Sequence, residues 1–217
     1  MATTLTRDDI AALMGGVADG MIAAKDELTA LDAELGDGDL GRTIERGFNG
    51  IKEALAGDLP GDAGRLLFQL GKAFGNAAPS SFGALYSTAL MKGGMALKDK
   101  ESVTLTEIAD ATETALNALI ERGKAQVGNK TMLDAIHPAL QAMRAVLADQ
   151  GDDISAAAFM EAAAEAARQG AEETRNMQSQ IGRASWQGER SISKMDPGAR
   201  AVGLMFAASV SYLKNQQ

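Results

Sequence analysis

The most informative stretch of the chain reads Leu31-Asp32-Ala33-Glu34-Leu35-Gly36-Asp37-Gly38-Asp39-Leu40-Gly41. Four carboxylates lie within eight residues here, interspersed with glycines. Closely spaced carboxylates repel one another, and a hard divalent cation such as Mg²⁺, which prefers oxygen ligands, removes that repulsion. The glycines let the backbone turn tightly beside a ligand. The stretch therefore predicts a metal–phosphate loop between two helices.

Asp32, Asp37 and Asp39 are the candidate ligands of one or two Mg²⁺ ions. The alternative is an ordinary solvated turn with a capping aspartate, because Asp and Gly are common turn residues. The residue spacing of an EF-hand calcium loop is absent. We expect Glu34 to point away from the other three carboxylates and to be solvated.

Composition favours an all-helical fold, because aromatic residues make up only 4% of the 217 residues and β-branched runs are scarce. The net charge of −8 argues against a nucleic-acid-binding face. The chain has no cysteine, which excludes disulfides and thiolate chemistry. The first residues lack an apolar signal core, and no long apolar run follows, so we expect a cytoplasmic protein without a membrane span.

Helical periodicity and capping signals predict eight helices. The first runs from a cap at Thr6 to about Leu31, and the second starts at a cap at Thr43 and runs through Leu55. The others are predicted over 62–74, 85–97, 104–119, 130–147, 155–171 and 198–213, and either Thr104 or Thr106 can start the helix that ends near 119. Because no linker or repeat divides residues 1–217, we expect a single domain, built as an antiparallel eight-helix bundle or closed barrel.

The unusual residues fall mostly on the connections between these helices. In an up-and-down arrangement, the first, third, fifth and seventh connections lie at the same end. These connections are 32–43, 75–83, 123–132 and 182–198. We therefore expect the four loops to meet at one end of the barrel, and loops on a rigid scaffold commonly carry function.

Three of these loops carry weaker signals. Ser80 and Ser81 precede a helix, where hydroxyls and free amides form an anion site, although a plain N-cap is the commoner explanation. Met132 can pack on an adenine ring or in the core, and His137 is more often structural than catalytic. The polar loop 182–198 has arginines suited to phosphate and the only tryptophan, and it fits a ligand clamp or a partner contact.

Together, in this order and spacing, the clusters resemble the L subunit of dihydroxyacetone kinase and the matching C-terminal domain of single-chain forms. The resemblance covers residues 5–213, and the set of segments is far more specific than any one of them. The matching segments are Leu31-Asp32 with Gly36-Asp37-Gly38-Asp39, Arg46-Gly47-Phe48, Gly83 with Leu85-Tyr86, Arg122-Gly123-Lys124-Ala125, Gly128 with Lys130-Thr131-Met132-Leu133-Asp134-Ala135, Gly182-Arg183-Ala184-Ser185, Gly188-Glu189-Arg190-Ser191 and Asp196-Pro197-Gly198-Ala199.

The resemblance implies an eight-helix barrel with a nucleotide site at one end. It implies that Asp32, Asp37 and Asp39 hold Mg²⁺, with two ions expected, and that the nucleotide is ADP or ATP. The positions that match the nucleotide contacts of the family are Leu40, Gly41, Arg42, Thr43, Ser81, Phe82, Gly123, Met132, Arg183, Asp196, Pro197 and Gly198. No residue of this chain is assigned as a catalytic acid or base.

The resemblance also implies partners. A separate K-like subunit would hold a small ketose through a histidine and dock on the nucleotide end. The L-type chain would deliver the phosphoryl group from ATP, or from ADP that a phosphotransferase-system protein recharges. The chain is then a phosphotransferase that is active only with its partner. The sequence is compatible with a monomer or a homodimer.

The chain departs from the family pattern at Leu40, where histidine is usual, at Phe82, where serine is usual, and at Asn129, where aspartate is common. Two other functions therefore stay open. One is a non-catalytic nucleotide-binding regulatory module, and the other is a degenerate helical scaffold whose pocket Leu40 and Phe82 close. The ketose is also open, and a tetrulose is one candidate.

Overall fold

A computed structural model describes residues 2–216. In this range, side-chain caps start six of the helices, and Thr6 and Thr104 both form complete capping boxes. The helices are α1 (Arg7–Ala23), α2 (Lys25–Leu35), α3 (Leu40–Leu55), α4 (Ala63–Ala77), α5 (Ser81–Ala96), α6 (Leu105–Gly123), α7 (Leu133–Gln150), α8 (Ala156–Glu173) and α9 (Pro197–Asn215). Two strands, β1 (Thr4–Thr6) and β2 (Ser102–Thr104), and 3-10 turns at Gly151–Asp153, Thr174–Asn176 and Arg183–Ser191 complete the described structure.

The helices form a closed ring. From α3 to α9 each helix packs against the next, and the ring closes because α1 packs against both α3 and α9. Helix α2 follows α1 after a break at Ala24, whose backbone stays near helical angles (φ −86°, ψ 3°). The two helices therefore count as one of the eight members of the ring. Short connections make neighbouring helices antiparallel. The predicted all-helical, eight-membered barrel is confirmed.

The barrel interior is apolar. Phe48, Phe74 and Phe159 are fully buried, and the rings of Phe48 and Phe74 meet edge to face with centroids 5.2 Å apart. A cavity of about 270 Å³, lined mainly by apolar side chains, remains inside the ring. Among residues 2–216, no helix combines the length and the apolar character that crossing a membrane requires.

One end of the barrel is tied together by strand pairing. Strand β1 pairs antiparallel with β2, with Leu5 opposite Val103. The Thr3 N–H donates to the Asp152 carbonyl oxygen at 2.6 Å, which adds the α7–α8 connection to this end. The strands were not predicted, because segments of three residues carry no usable periodicity.

The opposite end, called the site end below, is formed by the connections 36–39, 78–80, 124–132 and 174–196. Arg183 contacts Asp37 there, which joins the α2–α3 and α8–α9 connections. The Gln180 N–H donates to the Asn129 carbonyl oxygen at 3.2 Å, which joins the α6–α7 and α8–α9 connections. These contacts confirm the predicted meeting for three of the four loops.

Two local predictions are wrong. The first helix does not run unbroken to Leu31, since it breaks at Ala24 and α2 continues to Leu35. Thr43 does not cap the second helix, because α3 already starts at Leu40. Within the predicted polar loop, Arg183–Ser191 forms consecutive 3-10 turns.

Candidate functional site

The acidic loop brings three carboxylates together. One oxygen from each of Asp32, Asp37 and Asp39 lies within 4.8 Å of the other two. The Gly36 N–H donates to the Asp32 carbonyl oxygen at 2.6 Å, and Gly38 reverses the chain at a φ of 71°, a conformation that favours glycine. Three hard oxygen donors, one from the last turn of α2 and two from the α2–α3 connection, fit Mg²⁺ or another hard divalent cation.

The α8–α9 connection folds over this loop at two points. The Arg183 guanidinium contacts the Asp37 carboxylate, and the Lys194 Nζ donates to the Glu34 carbonyl oxygen at 2.7 Å. The Glu34 side chain is exposed and lies outside the carboxylate cluster, as predicted. The site therefore combines a cluster of carboxylates with two cationic side chains, Arg183 and Lys194, from a distant part of the chain.

Helix α3 starts directly on the carboxylate cluster. Its first residue, Leu40, donates its backbone N–H to Asp32 Oδ2 at 3.2 Å. The Leu40 side chain is only 6% exposed and packs into the core, so it offers nothing polar at the position where the resemblance leads us to expect histidine. Gly41 and Thr43 are buried, and Arg42 is exposed.

The start of α5 is an ordinary capped helix. The Ser80 Oγ accepts the Gly83 N–H at 3.0 Å, which confirms the plain N-cap for that serine. Ser81 is exposed at the first position of the helix. Phe82 stacks on Tyr86, with ring centroids 6.2 Å apart, and packs against the apolar interior. Burial raises the pKa of the Tyr86 phenol.

Met132 and Gly198 meet where the α6–α7 connection touches the start of α9. A Cβ on Gly198 would lie 3.7 Å from the Met132 Cβ. Met132 is 6% exposed and belongs to the apolar core, as in the core alternative for this residue. Gly123 ends α6, and a Cβ there would lie 3.7 Å from Leu85 of α5. Pro197 is buried at the first position of α9.

Two buried aspartates shape the backbone around these positions. The Asp134 carboxylate accepts the Gly128 N–H at 2.5 Å and the Thr131 N–H at 2.7 Å, so it folds the α6–α7 connection. The Asp196 carboxylate accepts the Ala199 N–H at 2.7 Å and caps α9. Asp134 belongs to one of the segments that resemble the family, but the spacing of residues in the sequence does not indicate that its side chain folds the backbone.

Asp196 is expected to make stability depend on pH. Burial raises the pKa of its carboxyl from 3.8 to about 7, against the opposing effects of the Ala199 N–H and the charge of Lys130. Between those two values the folded protein binds more protons than the unfolded chain, so this group makes the protein less stable as the pH rises from about 4 to about 7.

Asp196→Asn, which keeps a good N-cap, removes this titration. In thermal unfolding, we expect the melting temperature of the variant relative to the native chain to rise between pH 5 and pH 8. A difference that stays constant over this range would contradict the assignment.

Comparison with known proteins identifies the family. Residues 34–211 match the DAK2 domain. The chain belongs to the DAK2 domain family. This DAK2 domain is 33% identical over 202 residues to the Escherichia coli (strain K12) protein named PEP-dependent dihydroxyacetone kinase, ADP-binding subunit DhaL, covering 93% of this chain and 95% of that subunit.

Other relatives are longer than this DAK2 domain. It is 34% identical over 197 residues to the D-erythrulose kinase of Mycolicibacterium smegmatis, covering 90% of this chain and 33% of that kinase. It superposes with a TM-score of 0.74 on the crystal structure of the C. freundii dihydroxyacetone kinase in complex with AMP-PNP and Mg²⁺, at 26% identity, covering 97% of this chain and 35% of that one. The chain thus spans nearly all of a separate subunit and about a third of the longer kinases.

Proposed function

We propose that the chain is the nucleotide-binding, phosphoryl-transferring subunit of a small-ketose kinase. Asp32, Asp37 and Asp39 would hold Mg²⁺, with two ions expected, beside bound ADP or ATP. The observation that carries the proposal is the convergence of these carboxylates with Arg183 at one end of the barrel. Membership of the DAK2 domain family supports the same function.

The residues of the chain divide the work of binding and charge neutralisation. Bound Mg²⁺ supplies positive charge next to phosphate oxygens. The carboxylates hold the metal, while free backbone N–H groups at the start of α3 and α5 can donate to phosphate oxygens. The Arg183 guanidinium can fork onto two phosphate oxygens. Phosphoryl transfer depends mainly on such positioning and electrostatics, so this chain needs no acid or base of its own.

Further nucleotide contacts are proposed at the start of α3 and at or beside the three other connections of the site end. Their proximity supports the assignment: Met132 meets Gly198, and Gly123 adjoins the start of α5. The proposed contact residues are Leu40, Gly41, Arg42, Thr43, Ser81, Phe82, Gly123, Met132, Arg183, Asp196, Pro197 and Gly198. Because the Leu40, Met132 and Asp196 side chains are buried, their contacts would come mainly from the backbone.

The ketose is proposed to come from another chain. This chain aligns with 95% of an Escherichia coli protein that is named as a subunit, which supports a separate K-like ketose-binding partner. The same name includes PEP dependence, which makes a phosphotransferase-system protein a candidate donor alongside ATP. The Mycolicibacterium smegmatis relative is named a D-erythrulose kinase, so the substrate class includes tetruloses as well as trioses.

Calorimetry of the purified chain, followed by an activity assay with a K-like partner, tests the proposal. We expect ADP and ATP to bind only with Mg²⁺, and dihydroxyacetone or erythrulose to be phosphorylated only when both chains are present. Binding without transfer to any ketose would favour the regulatory module. No binding, and no thermal stabilisation by ligand, would favour the degenerate scaffold.

A further inference from the structure

Lys130, in the α6–α7 connection, has an unusual environment. Its side chain is 2% exposed, although lysine is among the residues least often fully buried. No carboxylate oxygen among residues 2–216 forms an ion pair with its ammonium group. The Nζ instead donates to four backbone carbonyl oxygens, those of Thr174 at 2.8 Å, Met177 at 3.2 Å, Ser191 at 2.7 Å and Lys194 at 2.5 Å.

All four carbonyls belong to one stretch of chain, residues 174–194, which we call the cover segment. A buried ammonium ion is costly unless hydrogen bonds replace its water. Here three N–H donors face four acceptors, so the cage satisfies the whole cation. Desolvation lowers the pKa of Lys130, and the charge of Asp196 opposes that effect. Without the cation, four carbonyl oxygens would converge on an apolar gap with no donor.

The cover segment has little regular structure of its own. It consists of short 3-10 turns with left-handed backbone at Gly182, Gly188 and Ser193. It nevertheless carries Arg183, which contacts Asp37. The hydrogen bonds of Lys130 at 174 and 177 and again at 191 and 194 gather both flanks of the turn that presents Arg183.

We propose that Lys130 is a positioning residue for the nucleotide site, acting as an internal cation that fastens the cover segment and so holds Arg183 over the carboxylate cluster. This inference rests on the proposed function. Lys130 lies outside the helices, so its loss should release the cover segment while the barrel stays folded. The segment should open, and Mg-ADP affinity should fall because its arginine is no longer held in place.

The test compares Lys130→Met with Lys72→Met, a matched change at an exposed lysine of α4. Trp186 is the only tryptophan of the chain and is 83% exposed within the cover segment, so its fluorescence anisotropy and acrylamide quenching report on that segment alone. Trypsin cleavage after Arg183 and Arg190 gives a second reading. We expect Lys130→Met, without nucleotide, to be cleaved there at least about tenfold faster.

In the same comparison, Mg-ADP affinity should fall about tenfold for Lys130→Met. Helical circular dichroism should be unchanged in both variants, and Lys72→Met should match the native chain in every measurement. Native protection of the cover segment and native Mg-ADP affinity in Lys130→Met would overturn the inference.

A second variant separates charge from packing and covers the case in which Lys130→Met does not fold. Lys130→Ala leaves a space that n-propylammonium can fill with a cation, whereas n-propanol fills it with a neutral group. We expect propylammonium, but not propanol, to restore both trypsin resistance and Mg-ADP affinity. Rescue by neither, or by both equally, would overturn the role of the cation.

These measurements distinguish failure of the Lys130 role from failure of the proposed nucleotide-binding function. Protection of the cover segment is measured without nucleotide, so it tests the fastening by Lys130 directly. If the native chain does not bind Mg-ADP at all, the proposed function fails, and the positioning role fails with it, even where the segment is fastened as described.

Discussion

Asp37→Asn is expected to weaken Mg²⁺-dependent ADP binding at least about a hundredfold, which corresponds to about 2.7 kcal/mol. The substitution replaces an anionic ligand with a neutral amide in a cluster whose three carboxylates converge within 4.8 Å. Magnesium favours carboxylate oxygens, so the loss should appear in metal-dependent binding above all. Isothermal titration with ADP in magnesium, and again in EDTA, measures the metal-dependent part directly.

Two further variants show whether the effect belongs to the metal site. Glu34→Gln removes an exposed carboxylate from the same loop, outside the cluster, and should leave the affinity unchanged. Asp39→Asn removes a cluster carboxylate without touching the contact between Asp37 and Arg183, and should reproduce the loss. Equal Mg-ADP affinity in Asp37→Asn and the native chain would remove Asp37 from the proposed metal site.

Gly41→Ala is expected to destabilise the fold by about 1–3 kcal/mol, the usual cost of overpacking. A Cβ at this position would lie 2.0 Å from Thr29 Oγ1 and 2.2 Å from the Lys25 carbonyl oxygen, so α3 would have to move away from α2. Alanine is the better helix former by about 1 kcal/mol, so destabilisation would run against intrinsic propensity. Urea unfolding followed by circular dichroism measures the change.

Gly15→Ala is the matched control, because Gly15 is also a helical glycine. A Cβ there would meet only Leu55 Cδ1, at 3.8 Å, which is an ordinary contact. We expect this variant to be more stable than the native chain by about 0.5–1 kcal/mol. A stabilised Gly41→Ala would show that the start of α3 is not pressed against α2. In Gly41→Ala, the movement of α3 away from α2 should also weaken Mg-ADP binding, since the first amide of α3 donates to Asp32.

Much of the fold could be predicted because its signals are local. Thr6 and Thr104 accept N–H groups three residues ahead of them in the chain, so the caps that start α1 and α6 are visible in short sequence windows. The break at Ala24 was missed because it leaves the apolar periodicity almost unchanged. The start of α3 was misplaced at Thr43 because α3 has no side-chain cap at its N-cap residue. The first N–H of this helix, that of Leu40, donates instead to Asp32, eight residues earlier in the chain.

The candidate site divides in the same way. Asp32, Asp37 and Asp39 were predicted to lie together because all three belong to a single chain reversal, in which glycines let the backbone turn tightly. Leu40 and Met132 were ambiguous, since a side chain near a helix start can face a ligand or the core. Packing turns both inward, to 6% exposure.

By itself, the sequence determined the all-helical architecture, the acidic turn and the meeting of at least three interhelical loops at one end of the barrel. Only the tertiary structure decided that Arg183 reaches Asp37 across 146 residues and that Lys130 is enclosed by carbonyls 44 to 64 residues away. Local patterns reflect interactions along one helix or turn, whereas these contacts form between loops that only closure of the barrel brings together. The placement of Arg183 and Lys130 at the site therefore cannot be predicted from periodicity in the sequence.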